Sequence, residues 1–395
     1  MTETVRAQYE AFPYPERKPT DERKRLITGS PSLPVEMDHW LWGGARDWSQ
    51  PLKALVAGGG TGDALIQLAQ KLTDAGRSYD ITYLDLSQAS RRIAEKRAEV
   101  RKLSGITFVT GSLLDAGDYG PFDYIDCCGV LHHLPDPQAG FNALAGALKP
   151  DGGIGLMVYA PHGRSGVYPL QDAFNVLLQD LPPEKQLKAA KRIFDRLPDA
   201  HPFKRNQRLV DHKNGDAGFY DLLLHSQDRP YSITELWAAL SAAGLDYAGA
   251  PEPQLYDPAP LLDDVPDMER CARMQLAEDL RGTFKTHVAY ARHKGQVIAP
   301  PMWQADAIPH LRDLDAKALA THLTKGKGLT IDTSGEAFHF EIPAQAAALV
   351  ERVDGTRKVA EIAPSLEERD VWNMVEAALC SSGMMHYSGI LAKGE

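Results

Sequence analysis

The sequence has few cysteines, no long apolar run and no excess of positive charge. Because no C-x-x-C pair occurs, we expect reduced thiols rather than a disulfide or metal framework at the four cysteines, Cys127, Cys128, Cys271 and Cys380. No apolar run approaches the roughly 18 residues of a membrane helix. The first residues lack the apolar block of a secretory signal. We therefore expect a cytoplasmic protein with no metal and no membrane partner.

The charge balance is acidic. Lys and Arg number 43 and Asp and Glu number 53, which gives a formal net charge of −10. Because binding to bulk nucleic acid needs clustered cations, we do not expect a nucleic-acid partner of that kind. With 43% hydrophobic and 24% charged residues, the chain has the composition of a folded protein with a sizeable core. Its 395 residues favour two or three structural units.

Short apolar runs alternate with helix-like stretches in the first part of the chain. Strand-like runs begin at Leu52, Ile81, Ile106, Phe122 and Ile154, and helical patterns cover 62–75, 88–101 and 138–149. This alternation predicts an α/β fold with a largely parallel sheet covered by helices on both faces. A helix at 232–243 and a strand at 286–292 are read as later parts of the same unit, and the latter as the last strand of the sheet.

The flanking regions predict further units. We expect an N-terminal arm or lid at 1–50, a core at 51–160 and 231–296, a helical cap for the acceptor at 161–230, and a linker at 296–301. A small α+β domain is expected at 303–395. Its segment at 353–363, VDGTRKVAEIA, resembles part of small winged-helix or PqqD-like domains. An ordinary packing or dimerisation domain, compatible with a homodimer, is the alternative interpretation.

A glycine-rich loop, Gly58-Gly59-Gly60-Thr61-Gly62, follows the first predicted strand. Such glycines allow a tight turn and a close approach of the backbone to a ligand at the start of a helix. Asp85 ends the second strand, where a carboxylate can accept two hydrogen bonds from a ribose diol, although capping the next helix is an alternative role. A nicotinamide dinucleotide is disfavoured because the third spaced glycine of G-x-G-x-x-G is absent.

Four motifs in order resemble those of class I S-adenosylmethionine (SAM)-dependent methyltransferases with a UbiE-like, type-12 core. They are the G-x-G-x-G loop, GSLL at 111–114, FDYIDCCGVLHHL at 122–134, and LKPDGG at 148–153. The resemblance implies a Rossmann-like doubly wound sheet whose last strand is antiparallel, and SAM as the cofactor. It also implies that the cofactor contacts Tyr14, Gly58, Gly60, Gly62, Asp85, Leu86, Ser112, Leu113 and Gly129.

One position departs from the family pattern. The family usually carries an acidic residue two places before the first loop glycine, where it helps to orient the methionine ammonium of SAM, and this chain has Val56 there. We expect backbone carbonyls near Gly58, or residues of the N-terminal segment, to share that task. Asp63 is a further candidate, although a carboxylate in the first turn of a helix is also explained by the helix dipole.

Aromatic residues alternate with prolines at the start of the chain, in QYEAFPYP at 8–15. The prolines predict a stiff, extended segment with little helix potential. Two roles remain open for Tyr9, Phe12 and Tyr14. Their rings could lie near the sulfonium and stabilise it by cation–π attraction, or they could pack the arm against the sheet.

Polar residues cluster in the loops beyond the fourth and fifth strands, where open α/β sheets place their ligands. We expect the acceptor to contact Tyr9, His133, Tyr159, Arg164, Tyr168, Arg229 and Tyr231. As candidate catalytic bases we name His162, His225 and Asp228. Solvated loops are the alternative interpretation of both clusters, and structural packing is the alternative for the pair His132 and His133.

These features predict a SAM-dependent methyltransferase that acts on an N or O nucleophile of a small-molecule or protein acceptor. Because a sulfonium is already a strong electrophile, the protein must mainly align the reactants and remove a proton. The C-terminal part resembles that of some bacterial protein-lysine methyltransferases, which keeps a protein acceptor open. A catalytically inactive SAM-binding or regulatory protein is the alternative function, and Val56 is the residue that supports it.

Overall fold

The computed structural model describes residues 3–296 and 304–392, so the expected linker lies outside the described residues from Val297 onward. Within these ranges, seven strands form one mixed sheet. Their bounds are β1 Leu52–Ala57, β2 Tyr79–Asp85, β3 Ile106–Thr110, β4 Phe122–Cys128, β5 Leu148–Tyr159, β6 Leu245–Gly249 and β7 Thr286–His293.

The sheet has the strand order β3-β2-β1-β4-β5-β7-β6. Strands β1 to β5 are parallel, and β7 runs antiparallel to β5, with Gly153 opposite Arg292 and Tyr159 opposite Thr286. The Rossmann-like fold with an antiparallel last strand is therefore confirmed. The strand order reverses between β1 and β4, and a crevice opens at the carboxyl ends of parallel strands at such a point.

Helices cover both faces of the sheet. Buried apolar side chains of α2 and α3 pack on one face, and those of α5, α10 and α11 pack on the other. The helix bounds are α1 Glu3–Ala11, α2 Pro34–Trp42, α3 Asp63–Asp74, α4 Gln88–Arg101, α5 Pro137–Gly146, α6 Val167–Leu178, α7 Pro183–Phe194, α8 Pro202–Arg205, α9 Asp216–Leu223, α10 Ile233–Ala242, α11 Arg270–Arg281, α12 Ala316–Leu323, α13 Ala347–Val350, α14 Val359–Ile362 and α15 Leu366–Ser381.

Two further apolar cores lie outside the sheet. Helices α6 to α9 follow β5 and pack around Phe174, Phe203 and Phe219. Residues 304–392 form their own core around Trp372, with the short strands β8 Pro309–Leu311, β9 Leu329–Thr333, β10 Glu336–Phe340 and β11 Met385–Tyr387. In the described part of the chain, no helix is both long and apolar enough to cross a bilayer.

The C-terminal segment is bonded to α2. The backbone N–H of Tyr387 donates to His39 Nδ1 at 3.0 Å, and the Ser388 hydroxyl donates to Asp38 at 2.6 Å. Both acceptors are buried. These contacts fix the end of the N-terminal arm to the last strand of the chain.

The structure corrects several local predictions. The expected extended segment is wrong for residues 8–11, which are helical, because α1 buries Val5 and Gln8 and gains tertiary contacts that outweigh local propensity. Strand β5 begins at Leu148, six residues before the expected start, and α5 ends earlier to match. Strand β6 was not predicted from the sequence.

Candidate functional site

A cavity of about 460 Å³ lies at the carboxyl ends of β1, β2, β4 and β5 and is covered by the N-terminal arm. This volume is within the range of small-molecule sites in proteins. Of the residues expected to bind cofactor or acceptor, ten line it: Tyr9, Tyr14, Gly58, Gly60, Asp85, Leu86, Leu113, Gly129, His133 and Tyr159. The sheet edge therefore brings together residues that are up to 150 positions apart in the sequence.

The glycine loop forms the floor of the cavity because its backbone leaves no room for side chains. Gly58 and Gly60 have φ values of 69° and 51°, in the left-handed region. A Cβ atom at Gly58 would lie 2.4 Å from a Val130 methyl, and one at Gly60 would lie 2.7 Å from the Tyr14 carbonyl oxygen. Gly62 does not line the cavity, and its missing side chain instead lets α3 approach Ala94 of α4.

Asp85 is the carboxylate beside this loop. It accepts hydrogen bonds from the backbone N–H groups of Gly60 and Ser87, each at 2.8 Å. Burial raises its pKa to about 6, although both hydrogen bonds lower the pKa. The alternative role as helix cap falls to Ser87, whose hydroxyl accepts from Ser90 N–H at the start of α4. Asp85 therefore faces the cavity with acceptor capacity to spare.

The remaining expected cofactor residues separate into two sets. Leu86, Leu113 and Gly129 line the cavity. Ser112 does not, since its hydroxyl accepts from Leu114 N–H and caps a short turn after β3.

The N-terminal arm closes over the glycine loop. The carbonyl of Tyr14 accepts from Thr61 N–H at 3.4 Å, and the carbonyl of Pro15 accepts from the Thr61 hydroxyl at 2.7 Å. Arg17 forms an ion pair of 2.6 Å with Asp63. The arm thus contributes both an aromatic wall and a cover that shields the cavity from water.

Two residues expected to contact the acceptor, Tyr9 and Tyr159, meet at Asp221 of α9, which sequence reasoning missed. The hydroxyls of Tyr9 and Tyr159 donate to its two carboxylate oxygens at 3.0 and 3.3 Å. Asp221 is 4% exposed, and burial raises its pKa while nearby His133 and Arg164 lower the pKa. Burial and the Asp221 charge raise the pKa of both phenols, which therefore remain donors.

His133 has a defined tautomer. Its Nδ1 lies 2.7 Å from the carbonyl oxygen of Gln227, which can only accept, so Nδ1 carries the proton. In the neutral ring Nε2 then carries the lone pair. The ring of His225 stacks on His133 with centroids 3.7 Å apart, and its Nε2 lies 3.3 Å from the Tyr9 hydroxyl. Burial lowers the pKa of His225, which favours its neutral form.

Asp228 and Arg164 form a buried ion pair behind this wall. Their side chains are 1% and 3% exposed, and Arg164 Nη2 lies 3.0 Å from Asp228 Oδ2. The guanidinium also lies 3.6 Å from the ring centroid of Tyr159 and donates to the Tyr168 hydroxyl. Neither Asp228, Arg164 nor Tyr168 lines the cavity, so they support Tyr159 from behind.

The other expected residues lie away from the cavity. His162 is 44% exposed in its side chain and lies 3.6 Å from Asp279 of α11. Arg229 pairs with Glu235 at an exposed position and lies over the ring of Tyr231. None of His162, Arg229 and Tyr231 lines the cavity, and His225 lies directly behind the residues that do.

Two buried groups bring possible metal ligands within 4.8 Å of one another. They are His132, His133 and Asp228, and His133, Asp221 and His225. Their hydrogen-bonding capacity is partly used within the protein, since Asp228 pairs with Arg164 and His225 Nδ1 accepts from Gln227 N–H. His132, the remaining member of the first group, has no hydrogen-bond partner at either ring nitrogen among the described residues.

The donor set fits SAM. Because Gly58 and Gly60 lack a Cβ atom, a ligand can approach the backbone of the loop closely. The buried Asp85 carboxylate suits a ribose diol. The fold and this site fit a methyltransferase domain. Residues 55–154 match the family model Methyltransf_12, described as a methyltransferase domain. This methyltransferase domain covers less than half of the chain, and SAM is its cofactor.

Curated relatives match parts of the chain. An uncharacterized protein from Synechococcus is 29% identical over 274 residues, which cover 65% of this chain and 62% of the relative. The tRNA 5-carboxymethoxyuridine methyltransferase of Escherichia coli K12 is 31% identical over 117 residues, 29% of this chain and 42% of that enzyme. The chain thus matches less than two thirds of the length of either relative.

A solved structure resembles nearly the whole chain. PKMT2 from Rickettsia typhi has a TM-score of 0.61 at 15% sequence identity, with 92% of this chain and 77% of that chain covered. PKMT2 has also been solved in complex with AdoHcy. At this identity the likeness shows the fold alone.

Proposed function

We propose that the protein transfers the methyl group of SAM to an amine nitrogen of a small molecule or of a protein side chain. The observation that carries this proposal is that His133, whose Nδ1 is held by the Gln227 carbonyl, and the buried carboxylate of Asp221 line the same cavity. We further propose that helices α6 to α9, which supply Asp221, form a cap that binds the acceptor.

The charges of this cavity favour a cationic acceptor. Asp221 and Asp211 both line the cavity, together with the rings of Tyr9, Tyr14 and Tyr159. Carboxylates and aromatic faces attract an ammonium group, whereas a phenolate or carboxylate acceptor would be repelled. Arg17, which also lines the cavity, is already paired with Asp63.

An ammonium must lose a proton before it can attack a methyl group. His133 Nε2 is the base available for that proton, since Nδ1 is held by Gln227 and no described residue bonds to Nε2. When bound, SAM supplies a methyl group on a positively charged sulfur. Tyr9 and Tyr159 fix Asp221, and the closed arm excludes water that would weaken its attraction for the amine.

The test is methyl transfer from isotopically labelled SAM to two acceptor pools, a small-molecule extract and a protein extract. A third pool, protein whose lysine amines have been acetylated, should lose the protein signal if the acceptor is a lysine amine. We expect His133→Ala to lower the rate about 10²- to 10⁴-fold with little change in affinity for S-adenosylhomocysteine (SAH). The control is His162→Ala, because His162 lies outside the cavity.

Equal rates for His133→Ala and the unmodified protein would refute the role of His133. Label on oxygen rather than nitrogen would refute the amine. Binding of SAH without methyl transfer to any pool would favour the alternative of a SAM-binding protein without catalysis.

A further inference from the structure

Val56 occupies the position at which the family usually has an acidic residue. A carboxylate, that of Asp126, lies beside it on the adjacent strand β4. In the parallel pairing of β1 and β4, Val56 is the register partner of Asp126. Register partners on adjacent strands point to the same face of a sheet, and both residues line the cavity. The carboxylate of this chain therefore lies one strand away from the usual position of the acid, a distance of about 4.8 Å.

Asp126 has donors but no cation among the described residues. It is 1% exposed and accepts a hydrogen bond from the Ser32 hydroxyl at 2.5 Å, and the Tyr124 hydroxyl oxygen lies 3.4 Å away. No Lys, Arg or His nitrogen of the described chain forms an ion pair with it. Burial raises its pKa to about 7, against the effect of both hydroxyls. A buried carboxylate with neutral partners alone is costly, and a cation in the cavity would relieve that cost.

The other nearby carboxylate is already occupied. Asp63 pairs with Arg17 at 2.6 Å and with Arg97 at 2.7 Å. Burial by itself would raise its pKa, but the two guanidinium groups outweigh that effect and lower the pKa. The expected compensation by Asp63 is therefore not supported by its contacts, because both of its oxygens are already bonded to arginines.

The N-terminal arm supplies a further contact of Asp126. Ser32 lies on the arm just before α2, lines the cavity and donates to Asp126. Tyr124 in turn donates to the carbonyl of Pro31 at 2.9 Å, which fixes this part of the arm on β4. Asp85 lies on the opposite side of β1, at the end of β2, so the two carboxylates are separated along the sheet edge.

We propose that Asp126 binds the α-ammonium of the methionine part of SAM, in place of the acid that Val56 replaces. Asp85 then accepts from the ribose at one end of the cavity, and Asp126 pairs with the ammonium at the other. The assignment rests on SAM as the cofactor and is independent of the acceptor, because SAH carries the same ammonium.

The experiment is calorimetric titration with three ligands. They are SAH, an SAH analogue in which hydrogen replaces the α-amino group, and 5′-methylthioadenosine, which lacks the amino-acid part altogether. The unmodified protein should bind the deaminated analogue about tenfold or more weakly than SAH, since the analogue leaves Asp126 without its cation. This comparison needs no variant and does not depend on methyl transfer.

Substitutions then locate the effect. Asp126→Asn should lower affinity for SAH about tenfold or more and leave affinity for 5′-methylthioadenosine within about twofold. The double variant Val56→Asp/Asp126→Asn returns a carboxylate to the strand where the family usually has it and should recover most of the SAH affinity. Asp118→Asn, a variant of an exposed carboxylate that does not line the cavity, should leave SAH binding unchanged.

Equal affinity of the unmodified protein for SAH and its deaminated analogue would overturn the proposal. So would Asp126→Asn that binds SAH normally, or that loses SAH and 5′-methylthioadenosine to the same degree. If amine methylation is not found while these binding differences are, the proposed function fails and the role of Asp126 stands.

Discussion

Replacement of Gly60 by alanine tests whether the arm must close over the glycine loop for the cofactor to bind. The new Cβ atom would lie 2.7 Å from the Tyr14 carbonyl oxygen, which belongs to rigid backbone rather than to a flexible side chain. The residue also has φ of 51°, where a side chain costs about 1–2 kcal/mol. The Tyr14 carbonyl must move away, and its hydrogen bond with Thr61 N–H, worth about 1 kcal/mol, is lost.

These costs add to about 2–3 kcal/mol and fall on the closed arrangement of arm and loop. If only that arrangement binds, affinity for SAH should fall about 30- to 150-fold. Calorimetric titration at 25 °C measures this. The matched control is Gly146→Ala near the end of α5, where no atom lies within 4 Å of the new Cβ atom and no positive φ is required. It should bind SAH normally and be neutral or slightly more stable.

SAH affinity of Gly60→Ala within twofold of the unmodified protein would refute this reasoning. It would mean either that the arm adapts at no cost or that the closed arm takes no part in binding. A similar loss in Gly146→Ala would instead show that the assay reports general damage.

Two further predictions follow from charges. Affinity for 5′-methylthioadenosine should fall as the pH drops from 7 to 5. The raised pKa of Asp85 is about 6, so its carboxylate becomes protonated in this range and accepts fewer hydrogen bonds from the ribose. An affinity that does not change with pH would contradict this. Asp228→Ala should destabilise the fold by about 3–5 kcal/mol in denaturant unfolding, since Arg164 is left buried and unpaired. Breaking the exposed pair of Arg229 and Glu235 should cost at most about 1 kcal/mol, and equal losses would refute the contrast.

The sequence predicted the sheet well because its signals are local. Apolar runs, helical periodicity and the glycine loop each occupy a few neighbouring residues, and α4 has the expected bounds of 88–101. Strand β6 was missed because it is only five residues long, and its pattern LDYAG contains an exposed Asp246 and ends in glycine. Helix α1 was missed because its stability comes from burial against the core rather than from propensity.

The cofactor half of the site was easier to predict than the acceptor half. Asp85 and the glycine loop lie in adjacent motifs, whereas Asp221 contacts Tyr9 across 212 residues of chain. Nothing near Asp221 in the run DAGFYDLL separates it from a carboxylate on a solvated helix face. His162 is the opposite case, a residue that was expected in the site but lies outside it. The composition of its loop suggested a binding role, whereas in the structure its side chain lies beside Asp279.

The pairing register of β1 and β4 was as informative about the site as any sequence motif. Asp126 lies within the third motif, yet its relation to Val56 is visible only once β1 and β4 are paired. Sequence reasoning noted that the acid is absent and expected backbone carbonyls near Gly58, the N-terminal segment or Asp63 to replace it, rather than a residue across the sheet. A one-residue change of register would have turned Asp126 to the opposite face.

The attachment of the C-terminal segment to α2 means that the two ends of the N-terminal arm have different anchors. Beyond Ser32 the arm is held by the C-terminal segment through Asp38 and His39, and Glu22 is held by the buried Arg97. Ahead of these anchors, residues 3–17 end at the partly exposed pair of Arg17 and Asp63. Displacing residues 3–17 would break their bonds to Thr61, Asp63 and Asp221 and would leave the contacts of Asp38 and His39 in place.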